Sequence, residues 1–210
     1  DIAIYESPVN RVFNAATHAC ADALSSSDMF FEHQLERSGF GYDYVNKERL
    51  VKNPGKYRVL ILPTIRLLDT EEVEAIRAFS ERGGWIVADI VPGTYDDYGQ
   101  RRSSSPLDNL FGVQNHAQQS QALTAGNGIL ESDPSISFPG IMADVSVALR
   151  GGAAAGQCGK IPIWIQNRTD KGSALLLNFV PLNGASREPP PQFFTLLAAH
   201  MRSAGCSPVM

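Results

Sequence analysis

Cysteine and tryptophan are scarce in this chain: its 210 residues hold three of the first and two of the second. Cys20, Cys158 and Cys206 stand far apart, with no CxxC and no Cys/His cluster. That spacing speaks for free thiols and against a disulfide framework, and it favours a reducing compartment, the cytoplasm. No apolar stretch approaches the roughly 20 residues of a membrane span. Basic residues are also thin. The 18 Lys and Arg against 22 Asp and Glu leave a net charge of −4, and the densest basic cluster is Arg101-Arg102. Such a balance gives no footprint for nucleic acid or an anionic membrane. The opening "DIAIYES" has no initiating Met and no basic region followed by an apolar core, so it is not a signal peptide. It reads as the start of a strand, in a piece of a longer polypeptide or a processed chain.

What is present suits a folded α/β chain with a sizeable core, at 43% hydrophobic and 19% charged residues. Residues 2–6, "IAIYE", alternate around an apolar face as a first strand. Residues 15–38 read as a helical region interrupted by "SSSD" at 25–28 and stopped at Gly39, a C′ residue. Tyr42 to Val45 form a second strand, "KERLVKNPGKY" a short helix and turn, and "RVLILP" (58–63) a strand apolar on both faces, as in a parallel sheet. Asp69 and Glu72 have capping-box spacing before the apolar stripe Val73, Ile76 and Phe79; Gly83-Gly84 end that helix, and "WIVADI" follows as another buried strand. Residues 1–115 are therefore read as an α/β core with helices on both faces.

After Gly112 the texture changes. "QNHAQQSQALTAGNG" is polar and glycine-bearing, whereas "VSVALRG", "KIPIWIQNR" and "SALLLNFVP" read as β segments, the last two joined by a hairpin turn at "NRTDKG". The whole, 1–210, is expected to be one domain: the core, a β-rich extension over 116–185, and a closing helix over 190–205 built on Phe193, Leu196, Leu197, His200 and Met201. The triplet "NRT" at 167–169 fits a glycosylation sequon, a match common by chance.

The stretch "GGWIVADIVPGTYDDYG" (83–99) has the architecture of a catalytic turn: a helix stop, a buried strand, and a loop at the carboxyl edge where α/β active sites are built. Glutamine-amidotransferase-like hydrolases place a nucleophilic Cys just after this strand. Here that place is Ile90-Val91-Pro92-Gly93, with no Cys or Ser, and Pro92 removes a donor that an oxyanion hole would want. Cys206, beyond the last helix, reads as a surface thiol. His18, His33, His116 and His200 read as structural or surface residues, none following a late strand. Carboxylate pairs for glycoside hydrolysis can be drawn on paper from Asp89, Asp96, Asp97 and Asp108, but nothing selects one pair, and a solvated acidic loop is the simpler reading. "TYDDYG" has no His partner and no calcium-loop spacing, and no GxGxxG follows Tyr5, where "YESPVN" occupies the turn. No metal and no cofactor is expected. The candidate ligand contacts are Asp89, Tyr95, Asp96, Asp97, Tyr98 and Arg101.

Several stretches together carry a family resemblance: "GYDYVNKERL", "VLILP" with its "LDTEEVEAIRAFSERGGWIVAD" continuation, "GQRRSSSPLDNLFGV", and the tail "KGSALLLNF…LLAAHMRSAGC". The chain resembles the trimerisation-type domain of bacterial β-galactosidases of glycoside hydrolase family 42. What the resemblance implies is a flavodoxin-like, class I glutamine-amidotransferase-like fold without catalytic residues of its own. It also implies a catalytic TIM barrel in the same polypeptide, subunit contact in a homo-oligomer, and a wall of a neighbour's substrate cleft. The segment 114–165 matches only loosely.

Three readings follow. The first is an accessory domain of a β-galactosidase-like glycoside hydrolase, acting in assembly and cleft shaping. The second is a diverged amidotransferase-like hydrolase using the 89–101 loop. The third is a carbohydrate-binding or sensor module in which Tyr95, Tyr98 and Arg101 engage a sugar.

Overall fold

In the computed structural model, the residues described are all except 18–20, 53, 91, 116–122, 132, 135, 181–190 and 210. The readings of Cys20, His18 and His116 lie outside them. The first half runs β1 (Ile2–Tyr5), α1 (Pro8–Ala16), α2 (Ala21–Arg37), β2 (Tyr42–Val45), α3 (Lys47–Lys52), β3 (Val59–Leu62), α4 (Thr70–Glu81), β4 (Trp85–Ala88) and α5 (Asp108–Phe111). The second half runs β5 (Val113–Asn115), β6 (Leu123–Leu130), β7 (Ser137–Asp144), β8 (Val147–Leu149), β9 (Ala153–Cys158), β10 (Ile161–Arg168), β11 (Ser173–Leu177), β12 (Phe179–Val180) and α6 (Pro191–Ser203).

Among the described residues, ten strands form one sheet in the order β12-β7-β6-β9-β10-β11-β4-β3-β1-β2. The half β11-β4-β3-β1-β2 is parallel throughout. Taking its strands in chain order gives 2-1-3-4-5. β11 is parallel to β4 on one side and antiparallel to β10 on the other. The β-rich extension therefore continues the same sheet, and only β5 and β8 pair apart from it.

Both faces of the parallel half are covered. Ile2, Ile4, Val59, Ile61, Val87 and Leu175 share a cluster with Phe30, Phe31 and Leu35 of α2 and Phe193, Leu197 and Met201 of α6. The alternate residues Ala3, Leu60, Leu62, Ile86, Ala88 and Leu176 pack with Leu50 of α3, Val73, Ile76 and Phe79 of α4 and Phe111 of α5. Strict alternation of strand side chains produces this division. β1, expected to have one apolar face, is buried on both. The capping box is present: Asp69 accepts from the Glu72 amide (2.8 Å), and Glu72 Oε2 accepts from the Asp69 amide (2.7 Å). Gly39 takes φ +73°, the left-handed C′ conformation.

Three expectations need correcting, and one stretch gains an element. "YESPVN" is not merely a turn, because α1 begins at Pro8, with Ser7 as N-cap accepting from the Asn10 amide. Pro at the first helical position and Ser before it favour that start. "SSSD" does not interrupt α2, which runs unbroken through it; Ser27 is fully buried and its hydroxyl finds a tertiary partner in Asp89. In the polar, glycine-bearing stretch, to which the sequence reading assigns no element, Gly126 and Gly128 are strand residues of β6. A Cβ on Gly126 would strike Cys158 Sγ, and one on Gly128 would press on Ile163 and Ile141, so glycine here permits close packing. Cys206 is not a surface thiol: it is buried in the cluster beneath α6, and burial raises its pKa.

The junction from α4 to β4 is tight. A Cβ on Gly84 would overlap the Phe79 ring and stand 2.7 Å from the Phe79 carbonyl oxygen. Gly84→Ala is expected to destabilise the fold by about 1–3 kcal/mol, seen as a lower urea midpoint with an unchanged slope. An unchanged midpoint would show that Phe79 can yield.

Candidate functional site

The parallel strands end in a set of loops tied together by polar side chains. Asp89, the residue after β4, is completely buried. Its carboxylate accepts from the Thr64 backbone amide, from the Thr64 hydroxyl (3.0 Å) and from the Ser27 hydroxyl. It therefore links the ends of β3 and β4 to α2. Thr64 holds φ +41°, a left-handed conformation rare for a β-branched residue; the Asp89 clamp on its amide and hydroxyl helps hold it there. Burial pushes the Asp89 pKa up to about 7, against the three hydrogen bonds that favour its charge.

A second node is Arg66, also fully buried. Its guanidinium lies 5.4 Å from the Phe13 ring centroid and 4.8 Å from that of Tyr95, and Nη1 donates to Asn14 Oδ1 (3.1 Å) and Thr17 Oγ1 (3.2 Å). Asn10 and Asn14, on the buried side of α1, donate to the Thr64 carbonyl, while Asn10 Oδ1 accepts from the amides of Arg66 and Leu67. The inner face of α1 is thus polar and satisfies the irregular backbone after β3.

The six candidate residues do not converge. Asp89 is internal. Tyr95 bridges Leu67 and Arg101 by backbone pairing, with its ring on Phe13 at 4.8 Å. Asp96 is consumed by its own turn, accepting from the amides of Tyr98 (3.0 Å) and Gln100 (2.8 Å). Arg101 is half-buried. Asp97 is exposed, and Tyr98 is 83% exposed. Sequence reasoning missed Arg102, which fastens the loop by donating to the carbonyls of Gly93, Tyr95 and Leu68. It also missed a cavity of about 430 Å³ beside the ends of β1 and β3, where Arg11 pairs with Glu6 (3.1 Å) and Asp28 (3.5 Å) over Tyr5, Met29 and Ile65. Burial, with Arg11 opposing, raises the Asp28 pKa to about 6. The signal for it was the 2-1-3 strand order, whose switch point falls between β1 and β3. That order is visible only once the strands are paired.

Chemically the edge is a brace. Asp89 is a buried carboxylate held by Thr64 and Ser27, and Ser105 Oγ donates to the Pro92 carbonyl. Among the described residues, no group of three His, Cys, Asp or Glu side chains is placed to hold a metal ion, and no helix is long and apolar enough to cross a membrane.

The sequence profile of the β-galactosidase trimerisation domain matches residues 9–134, more than half of the chain. The chain belongs to that family. No curated protein matches it significantly. Among solved structures it is similar to the β-galactosidase from Bacillus circulans sp. alkalophilus, at 17% identity and TM-score 0.82, covering 100% of this chain and 32% of that one. It is similar also to the β-galactosidase of the Antarctic haloarchaeon Halorubrum lacusprofundi (15%, TM-score 0.74, 97% and 30%). An exo-β-1,4-mannosidase from Opitutaceae bacterium strain TAV5 shares the fold at 13% identity and TM-score 0.58, covering 98% of this chain and 34% of that one. The chain spans about a third of the length of the structures it matches. In this trimerisation domain, the carboxyl-edge loops are locked by Asp89, Arg66 and Arg102.

The Asp89 pKa gives a pH signature. Its folded value lies above the ordinary carboxylate value, so the folded state binds the extra proton. The associated stability is full below about pH 4 and is lost as pH rises towards about 7. Asp89→Asn keeps an acceptor for the Thr64 amide and cannot ionise. Relative to the variant, the wild-type melting temperature is expected to fall between pH 5 and 7.5; parallel curves would mean that Asp89 does not titrate there.

Proposed function

We propose that this chain is a non-catalytic accessory domain of a β-galactosidase-like glycoside hydrolase. In this reading it sits beside a catalytic TIM barrel in the same polypeptide, holds subunits together in a homo-oligomer, and helps to wall a substrate cleft. The 2-1-3-4-5 order of the parallel half supports a flavodoxin-like, amidotransferase-like reading of the fold, in one domain over 1–210. The buried free thiols Cys158 and Cys206 suit a reducing, cytoplasmic setting.

The observation that carries the assembly role is the inverted polarity of α1. Its inner face presents Asn10 and Asn14 to buried backbone, while its outer face presents Val9 and Val12 to solvent, 62% and 69% exposed. Ordinary surface helices do the reverse. Val9 and Val12 share a surface depression with Tyr98 and Asp97, making one apolar patch with an aromatic at its rim. A patch of this kind marks a contact surface. We assign the second copy of the domain to it, because the family to which the chain belongs is one of trimerisation. Of the six candidate residues, Asp97 and Tyr98 are then subunit contacts.

The test uses the intact polypeptide. Val9→Glu with Val12→Glu places charges on an exposed face, so circular dichroism should be unchanged. Removing two apolar contacts at about 1.5 kcal/mol each lowers association by about a hundredfold. Sedimentation velocity is expected to show the oligomer shifting to smaller species. An oligomer as stable as the wild type would remove α1 from the interface, and a wild-type monomer would remove the assembly role.

A further inference from the structure

The opposite end of the sheet carries a groove that the assembly role does not use. Trp85 is the first residue of β4 and Ser173 the first of β11, so the groove lies at the amino edge of the parallel strands, away from Asp89. Ser173 is paired with Trp85 on one side and with Arg168 on the other, which sets three side chains in a row across three strands. Trp164 and Gln166 precede Arg168 at alternate positions of β10 and share its face. α6 forms one wall with His200, and the small residues Ala153 and Ala155 of β9 leave the rest open, for a volume of about 640 Å³.

Two observations point to a ligand. His200 is only 8% exposed, its ring stands 4.8 Å from Trp85, and its Nε2 has no hydrogen-bond partner. A buried ring nitrogen without a partner is costly and uncommon in folded proteins. Among the described residues the lining also combines an indole surface with neutral amides, hydroxyls, a guanidinium and an imidazole, with no carboxylate. Trp85 is half-buried and supplies the stacking surface; Trp164 is the buried floor, fixed against Phe193 at 5.4 Å.

We propose that this groove binds a neutral saccharide, with the apolar face of a sugar ring on Trp85 and its hydroxyls on Gln166, Ser173, Arg168 and His200 Nε2. A sugar fits this lining because it presents C–H groups on one face and donor–acceptor hydroxyls at its edge. Among the described lining residues an anion would find only Arg168, an exposed cation whose single pairing in water is weak. A purely aromatic ligand would leave His200 Nε2 unsatisfied.

The chain has only two tryptophans, and both line the groove, so intrinsic fluorescence reports on it directly. The 210-residue chain is titrated with glucose, galactose and mannose, with glucuronate and inorganic phosphate as anionic comparisons. A saturable change in the millimolar range is expected for at least one neutral sugar, as for a small ligand with few contacts. Gln166→Ala, at an exposed position, and His200→Phe should each weaken it about tenfold or abolish it, while Lys52→Ala, exposed on α3, should not. The proposal is overturned by no saturable response to any neutral sugar, by a response to the anions alone, or by an unchanged response in folded Gln166→Ala.

Discussion

The structure depends on one strand joining the parallel and antiparallel halves of a single sheet. β11 is buried along its whole length, pairs in parallel with β4 and pairs antiparallel with β10. Every backbone donor and acceptor of a strand so buried needs a ladder partner, and these two neighbours supply them. Because the register of β11 is fixed on both sides, the α/β half and the antiparallel half cannot slide relative to one another. α6 then covers the seam, with Phe193, Leu197 and Met201 in the same cluster as Leu175, Leu177 and Trp164.

At the carboxyl edge the same economy gives rigidity rather than chemistry. A parallel sheet leaves its connecting loops to satisfy their own backbone groups. Here Asp89, Asn10, Asn14 and Arg102 all spend their side-chain hydrogen bonds on loop carbonyls, amides and hydroxyls. A carboxylate locked by three donors, with its pKa raised by burial, is a clamp. The cost of holding Thr64 in a left-handed conformation is of the order of 1–3 kcal/mol, and it is offset by this network. Rigidity of this kind suits a surface that presents a fixed face to another subunit.

The polarity of α1 connects the clamp to that surface. Because its inner side is committed to Thr64, Arg66 and Leu67, its apolar residues are left outside. The carboxyl edge thus presents Val9 and Val12 to solvent, while the distant groove beneath α6 holds both tryptophans and the imidazole of His200.

By itself the sequence determined the local parts with strong signals. The capping box at Asp69 and Glu72, the apolar runs 59–62 and 85–88 and the stop at Gly39 are all short-range consequences of side-chain type. The family could be read from the same hydrophobic and turn positions. Tertiary structure decided what depends on partners far away in the chain. It showed that Ser27 belongs inside a helix because Asp89 receives its hydroxyl, and that Gly126 and Gly128 are strand positions because Cys158 and Ile163 crowd them. It buried Cys206 under α6, gave α1 a polar inner face, and brought Trp85, Trp164 and His200 to one groove. Each of these rests on a contact between residues tens of positions apart, and no local propensity or periodicity encodes such a contact.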